Sequence, residues 1–224
     1  MLHILKKLAR IIPGLLIFSF GIFMNGYSEM GYSPWNVLSD GAAKATGTTF
    51  GTMTTAIGAL IFIAVILLKE PLGVGSLLNM VLVGPFCDMY SALQTSLGFM
   101  PQLPTLPAKL IMCLISIPVT ALGTCLYMST QWGAGPRDSL NVAVTRKLPF
   151  PYAVCRASIE GAAFLLGWLL GGAVGVGSIL NVALMAPTVG LIFRLFKIDI
   201  KRFKNENFLD TWYILRGNEE TTRT

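Results

Sequence analysis

The sequence predicts an all-α membrane protein with about six transmembrane helices in two inverted three-helix repeats. The chain of 224 residues is 54% hydrophobic and only 12% charged, with a mean hydropathy of +0.66, whereas a soluble domain of this size has about 25% charged residues. Long apolar stretches recur along it, as in polytopic membrane proteins. One 13-residue motif also occurs in two similar copies, GVGSLLNMVLVGP at 73–85 and GVGSILNVALMAP at 175–187.

Six apolar stretches approach the roughly 20 residues that a helix needs to cross the hydrocarbon core of a bilayer. They cover 11–28, 49–69, 75–96, 108–130, 151–171 and 174–195. The basic N-terminus resembles a signal peptide, but no small-residue cleavage site precedes a soluble domain, so we expect a retained first span. We expect 1–224 to form a single membrane domain, in which 197–224 is a basic cytoplasmic tail or an interfacial helix.

The basic residues predict the orientation. If the N-terminus is cytoplasmic, all but two of the 17 Lys and Arg residues fall on the cytoplasmic side, and only Lys44 and Lys109 lie outside. The positive-inside rule therefore predicts that both termini are cytoplasmic. Contact with anionic lipid headgroups explains the basic tail. No platform of aromatic and basic residues accompanies it, so nucleic acid is not an expected partner.

The repeated phrase belongs to a larger duplication. At a gapless offset of 102 residues, 31–90 and 133–192 share 15 identities in 60 positions, and GYSPWNVL aligns with GAGPRDSL. We assign repeat 1 to 11–96 and repeat 2 to 108–195, with three spans each. Because three is odd, the second repeat must be inverted relative to the first, as in many secondary transporters whose sites lie at the repeat interface.

Each repeated phrase carries an Asn inside an apolar run. Ser76 and Ser178 follow a Gly-Val-Gly turn and are predicted to cap the third helix of each half. Asn79 and Asn181 lie three residues further on. These two residues either line a central pathway or form interhelical hydrogen bonds, which is a common role of intramembrane Asn. Each run also contains a proline further on, Pro85 in the first and Pro187 in the second. A proline inside a helix removes one backbone hydrogen bond.

Two short segments, 33–45 and 135–147, begin at SPWN and GPRD. They are too short and too polar to span, so we expect interfacial or re-entrant helices. If they re-enter the membrane, their N-terminal N–H groups are available to an anion. If both were true spans, each half would have four spans and the repeats would be parallel, which would remove the main support for transport.

Three charged residues fall inside predicted spans, where charges are costly and usually functional. Glu160 is the strongest candidate for a proton or cation site, and the alternative is a structural pair with Arg156, one helical turn earlier. Asp88 either lines the pathway or lies near the outer interface. Arg137 and Asp138 are expected to form a loop pair on the cytoplasmic side, where Arg137 is either a solvated loop charge or a residue that attracts an anionic substrate.

No enzymatic chemistry is predicted. The four cysteines have no C-x-x-C spacing, and the single histidine lies at position 3, so we expect neither a metal site nor a disulfide framework. The sequence contains no zinc-protease, nucleophile-elbow or P-loop motif, and we expect no cofactor.

The segments GYSPWNVL, TGTTFGTMTTAIGALIF and GVGSLLNMVLVGPFCDMY, with GAGPRDSL and GVGSILNVALMAP, resemble the YczE/YitT-like family of bacterial integral membrane proteins. The resemblance covers about 11–195. It implies a multi-pass protein of the bacterial plasma membrane and transfers no catalytic residue.

The leading interpretation is a transporter of an unspecified small solute, with Glu160 as the candidate residue for coupling to protons and a path near Asn79 and Asn181. The alternative is an accessory or regulatory membrane protein that acts on a partner complex through its basic tail, without transport. The lipid bilayer is an expected partner in both cases, and a homodimer is left open.

Overall fold

The computed structural model describes residues 2–198 and 206–208, and all regular structure in that part of the chain is helical. The eight helices are α1 (Leu2–Tyr27), α2 (Pro34–Thr46), α3 (Phe50–Leu67), α4 (Val74–Leu97), α5 (Leu106–Met128), α6 (Pro136–Lys147), α7 (Tyr152–Leu169) and α8 (Val176–Leu195). Most of the predicted tail lies outside the described residues.

Five of these helices, α1, α3, α4, α5 and α8, are long and apolar enough to cross a membrane. The predicted all-α polytopic class is therefore confirmed. Helix α7 is 18 residues long, as α3 is. It carries Arg156 and Glu160, however, and is not among the five. The two predicted short segments are helices α2 and α6, of 13 and 12 residues.

Local sequence explains where the helices begin. Thr49 and Thr105 cap α3 and α5, because each side chain accepts a hydrogen bond from a backbone N–H three residues later. Proline occupies the first position of both short helices, where its missing N–H costs nothing. Helices α4 and α8 begin after Gly73 and Gly175 and continue through their internal prolines.

Helices α1 and α5 form the central pair and run antiparallel. Glycines let the two backbones approach closely: a methyl group on Gly21 would lie 2.6 Å from the Thr120 nitrogen, and one on Gly123 would lie 2.3 Å from the Phe18 nitrogen. Helix α4 packs on α1, and α8 packs on α5. The resulting bundle has a core at each contact, with Ile11 and Leu15 fully buried on α1.

The bundle has two distinct ends. We call one the basic end, because Lys7, the α3–α4 loop, the C-terminus of α6 and Arg194 lie there. The other, the far end, contains the Glu29–Lys109 ion pair and the α7–α8 loop. Residues 206–208 return to the basic end, where the backbone N–H of Glu206 donates to Gln131 O over 2.8 Å.

The repeated Gly-Val-Gly-Ser turn has a reciprocal packing role. The N–H of Gly75 donates to Trp132 O, and the N–H of Gly177 donates to Met30 O, each over 2.7 Å. Each turn thus holds the loop that precedes the short helix of the other half. The serines were predicted to be N-caps, but the structure places them at the third helical position, where Ser76 Oγ accepts from the Gly73 N–H and also donates to Ala134 O.

The loops fit against these turns because of left-handed glycines. Gly31 has φ +100° and Gly133 has φ +113°, a region that L side chains rarely adopt. A methyl group on Gly133 would also lie 2.7 Å from Ser76 Oγ. Gly31 has the same relationship to Ser178. The repeated turn therefore makes an equivalent contact in each half of the chain.

Candidate functional site

The first turns of the two short helices meet inside the bundle. Arg137 Nη1 donates to Asn36 Oδ1 over 3.2 Å. The guanidinium also lies 5.5 Å from the centroid of the Trp35 ring, within the range of a cation–π contact. The starts of α2 and α6 are therefore joined by one arginine side chain.

The opposite ends of these helices diverge. Near the end of α2, Lys44 Nζ donates to Gly171 O over 3.2 Å, in the α7–α8 loop at the far end. Near the end of α6, Arg146 forms an ion pair of 3.0 Å with Glu70, in the α3–α4 loop at the basic end. Each short helix thus runs from the interior to a different end of the protein.

A cavity of about 620 Å³ surrounds the point where the helices meet. This volume is within the range of about 300–1,000 Å³ that is typical of small-molecule sites. Most of the lining residues form pairs separated by 102 positions, so the cavity lies between equivalent surfaces of the two halves. Such pairs include Asn25 with Tyr127, Trp35 with Arg137, Thr54 with Arg156, Gly58 with Glu160, and Asn79 with Asn181.

The cavity contains two cations and two carboxylates. On α7, Arg156 Nε donates to Glu160 Oε1 over 2.9 Å, and Arg156 Nη1 donates to the Tyr152 hydroxyl over 3.4 Å. Asp138 occupies the first turn of α6, where its negative charge interacts favourably with the partial positive charge of the helix N-terminus. Within the described chain, Arg137 has no carboxylate oxygen within 4.0 Å. Its charge faces the cavity without a directly paired anion.

Three buried oxygens in the cavity wall have no hydrogen-bond partner among the described residues. They are Asn25 Oδ1, Thr54 Oγ1 and Asn141 Oδ1. These residues are 4%, 6% and 1% exposed, respectively. A buried acceptor without a donor costs about 1–3 kcal/mol. A ligand with hydrogen-bond donors would remove that cost.

Six of the residues singled out in the sequence line this one cavity: Asn79, Arg137, Asp138, Arg156, Glu160 and Asn181. Arg137 and Asp138 were expected in a cytoplasmic loop, but the structure places them, half-buried, in the first turn of α6. The difference arises because Pro136 begins a helix whose N-terminus points inward. Asn181 also donates to Gly177 O of its own helix over 2.8 Å.

Asp88 lies apart from the cavity lining. Its carboxylate accepts hydrogen bonds from Thr49 Oγ1 over 2.5 Å and from the Gly51 N–H over 2.8 Å. These groups belong to the first turn of α3, so Asp88 stabilises the start of that helix. No group of three His, Cys, Asp or Glu side chains within the described residues is placed to hold a metal ion.

Several cavity residues were not singled out in the sequence. The offset of 102 relates Trp35 to Arg137 and Thr54 to Arg156, so the alignment of the halves contained a signal for both. Asn25 aligns with Tyr127 in the same way. Asn141 aligns with Ser39, which does not line the cavity, and only the tertiary structure reveals its position.

Comparison with known proteins adds the family. Residues 5–194 match a family of unknown function, DUF6198. The chain belongs to this family. The match covers all eight helices apart from the first turn of α1 and the last residue of α8.

The chain is also similar to proteins from two bacteria. An uncharacterized protein of Haemophilus influenzae is 33% identical over 85% of this chain and 83% of its own length. The uncharacterized membrane protein YczE of Bacillus subtilis is 33% identical over 81% of this chain and 80% of its own length, which confirms the predicted resemblance. YyaS of the same organism is 26% identical over 84% and 91%. No solved structure matches the chain.

Proposed function

We propose that this membrane protein transports a small anionic solute, which binds in the cavity where α2 and α6 meet. The observation that carries the proposal is Arg137, which faces the cavity with no carboxylate within 4.0 Å in the described chain. Each helix N-terminus adds a partial positive charge of about 0.5, part of which Asp138 offsets in the first turn of α6. Two such ends and one arginine favour an anion between them.

The arrangement of the helices supports a transport path. The antiparallel α1–α5 pair and the opposite directions of α2 and α6 agree with two halves of inverted orientation, and we interpret α2 and α6 as re-entrant helices. In transporters built this way, each half closes access from one side of a midplane site. We place the basic end in the cytoplasm, on the bacterial plasma membrane, because of the positive-inside rule.

The Arg156–Glu160 pair supports coupling to protons. While Glu160 is ionised, it neutralises Arg156 at 2.9 Å. Protonation of Glu160 would remove that partner and leave a second cation facing the anion site. Proton binding and anion binding would then favour one another, and by linkage the effect is reciprocal. The cavity would carry an anion together with a proton.

Uptake into proteoliposomes tests this proposal. The full chain would be reconstituted in neutral phospholipid, and uptake of labelled inorganic phosphate, monocarboxylates and organic phosphates would be measured with and without an imposed proton gradient. For the best substrate, Arg137→Gln should lower uptake about ten-fold or more, since hydrogen bonds to charged groups contribute about 1.5–3 kcal/mol.

The matched control is Arg146→Gln, which removes an arginine from the same helix at its exposed end. That variant should retain uptake within about two-fold, because the Arg146 side chain is 66% exposed and lies outside the cavity lining. Equal uptake by Arg137→Gln and wild type would contradict the proposal. Absence of uptake for the whole panel, together with absence of binding of a long-chain alkyl phosphate, would favour the accessory role predicted as the alternative.

A further inference from the structure

The two halves differ most at one helix–helix contact. Helices α3 and α4 pack closely, whereas the equivalent helices α7 and α8 make almost no contact. Residues of both α7 and α8 line the central cavity. The cavity is therefore open sideways between these two helices, and closed at the corresponding place in the first half.

Sequence differences explain why one contact is closed and the other open. In the first half, Gly51 lies so close to α4 that a methyl group on it would be 2.2 Å from Gly84 O. Further along α3, a methyl group on Gly58 would lie 3.2 Å from Met80 Cγ. At the offset of 102, the positions of Gly51, Gly58 and Gly84 are taken by Ala153, Glu160 and Ala186. Larger side chains hold α7 and α8 apart.

The opening has two chemically different zones. Its inner zone contains Arg137 and the half-exposed Arg156, whose side chain is 44% exposed. Its outer zone is apolar, and α8 contributes Val182, Met185, Ala186, Val189 and Gly190. The outer surfaces of both helices are also apolar, with Leu166 54% and Ile179 70% exposed. A gap between such surfaces in a membrane opens onto lipid chains and not onto water.

We propose that the transported anion is a membrane-resident amphiphile, which enters from the bilayer between α7 and α8 and places its anionic head at Arg137. Its apolar chain lies in the opening along α8. This inference rests on the proposed anion transport and names the substrate class. It follows from the complementarity of a cationic inner zone and an apolar outer zone to a molecule with one charged end.

Binding of dodecyl phosphate to the full chain in phosphatidylcholine nanodiscs tests the inference, with empty nanodiscs as the partition control. Inorganic phosphate supplies the head without the chain, and dodecanol supplies the chain without the charge. Dodecyl phosphate should bind at least about ten-fold more tightly than either, because both zones contribute to it. Arg137→Gln should weaken its binding by a similar factor.

Two glycines provide a matched pair of blocking variants. Gly190 lines the opening on α8, and Gly161 lies on the exposed surface of α7, outside the cavity lining. An added Cβ meets no atom within 4 Å at either position. Gly190→Phe should weaken dodecyl phosphate binding about ten-fold by filling the opening, whereas Gly161→Phe should leave it unchanged.

The outcomes separate this inference from the proposed function. Lateral entry would be overturned if inorganic phosphate and dodecyl phosphate bound equally tightly, if Arg137→Gln weakened the binding of both, and if Gly190→Phe changed neither. Transport of a soluble anion would then remain. Loss of the Arg137 effect for both ligands would overturn both proposals. A change of oligomeric state in Gly190→Phe, measured by light scattering, would show that a second copy covers the opening and would also overturn lateral entry.

Discussion

Arg137 of α6 donates a hydrogen bond of 3.2 Å to Asn36 of α2, although 101 residues separate them in the sequence. The contact joins the N-terminal turns of two short helices whose C-terminal turns lie at opposite ends of the bundle. The two helices therefore meet head to head in the interior. Their partial positive charges add to that of Arg137, which makes this point favourable for an anion.

The left-handed glycine at 133 provides a test of the contact between the halves. Gly133→Ala should lower stability by about 3 kcal/mol, because the backbone has a positive φ and the new methyl group would meet Ser76 Oγ and Gly73. The matched control is Gly98→Ala, at φ +59° with no atom within 4 Å of the added Cβ, which should cost about 1–2 kcal/mol from backbone strain alone.

Thermal unfolding of both variants in the same detergent checks this prediction. The unfolding midpoint of Gly133→Ala should lie clearly below that of Gly98→Ala. Equal midpoints would mean that the reciprocal contact between the halves does not contribute to stability.

The role of Glu160 is tested by Glu160→Gln. This change leaves Arg156 without its carboxylate partner at 2.9 Å, so it imitates the protonated state. Uptake should no longer respond to a proton gradient. The anion should bind several-fold more tightly at neutral pH, because Arg156 is then available for one additional charge-assisted hydrogen bond to it. Proteoliposome uptake at several imposed gradients measures the first effect, and equilibrium binding measures the second.

The control for this experiment is Glu70→Gln, which removes the carboxylate from the Arg146–Glu70 ion pair at the basic end. It should retain the gradient response. A Glu160→Gln variant that also responds normally would show that the Arg156–Glu160 pair is structural.

Asn141 should matter for binding more than for folding. Its Oδ1 is buried without a partner in the described chain, so Asn141→Leu removes an acceptor whose burial costs about 1–3 kcal/mol. The variant should unfold at the same temperature as wild type or above it, while uptake of a phosphate anion that keeps a P–O–H group falls about five-fold or more because that donor loses its acceptor. Thr145→Val, on the same helix but outside the cavity lining, should keep uptake. Lower stability with normal uptake would contradict this assignment.

Much of the architecture follows from local sequence. Apolar length predicts the long helices, and the Ser33–Pro34 and Gly135–Pro136 steps predict the two short ones. The gapless offset of 102 residues relates the two halves in the sequence. In the structure, each Gly-Val-Gly-Ser turn holds a loop of the other half. These signals are local, or are repeated in the sequence, and need no knowledge of tertiary contacts.

The site itself depends on long-range packing that periodicity does not encode. Arg137 and Asp138 have the polarity of a loop, and only the direction of α6 places them inside. Asp88 has the sequence position of an intramembrane functional charge, but the start of α3 supplies the groups that it binds. The unpaired oxygen of Asn141 likewise has no local pattern that would distinguish it from a surface Asn.

The head-to-head arrangement of α2 and α6 is tested most directly by the sidedness of their C-terminal ends. Single cysteines at the exposed positions Thr46 and Lys147 would be labelled with a membrane-impermeant maleimide, in a background where the four native cysteines are alanine. The head-to-head arrangement predicts labelling of Thr46→Cys from one face of the membrane and of Lys147→Cys from the other. Labelling of both from the same face would contradict the head-to-head arrangement, and with it the anion site at Arg137.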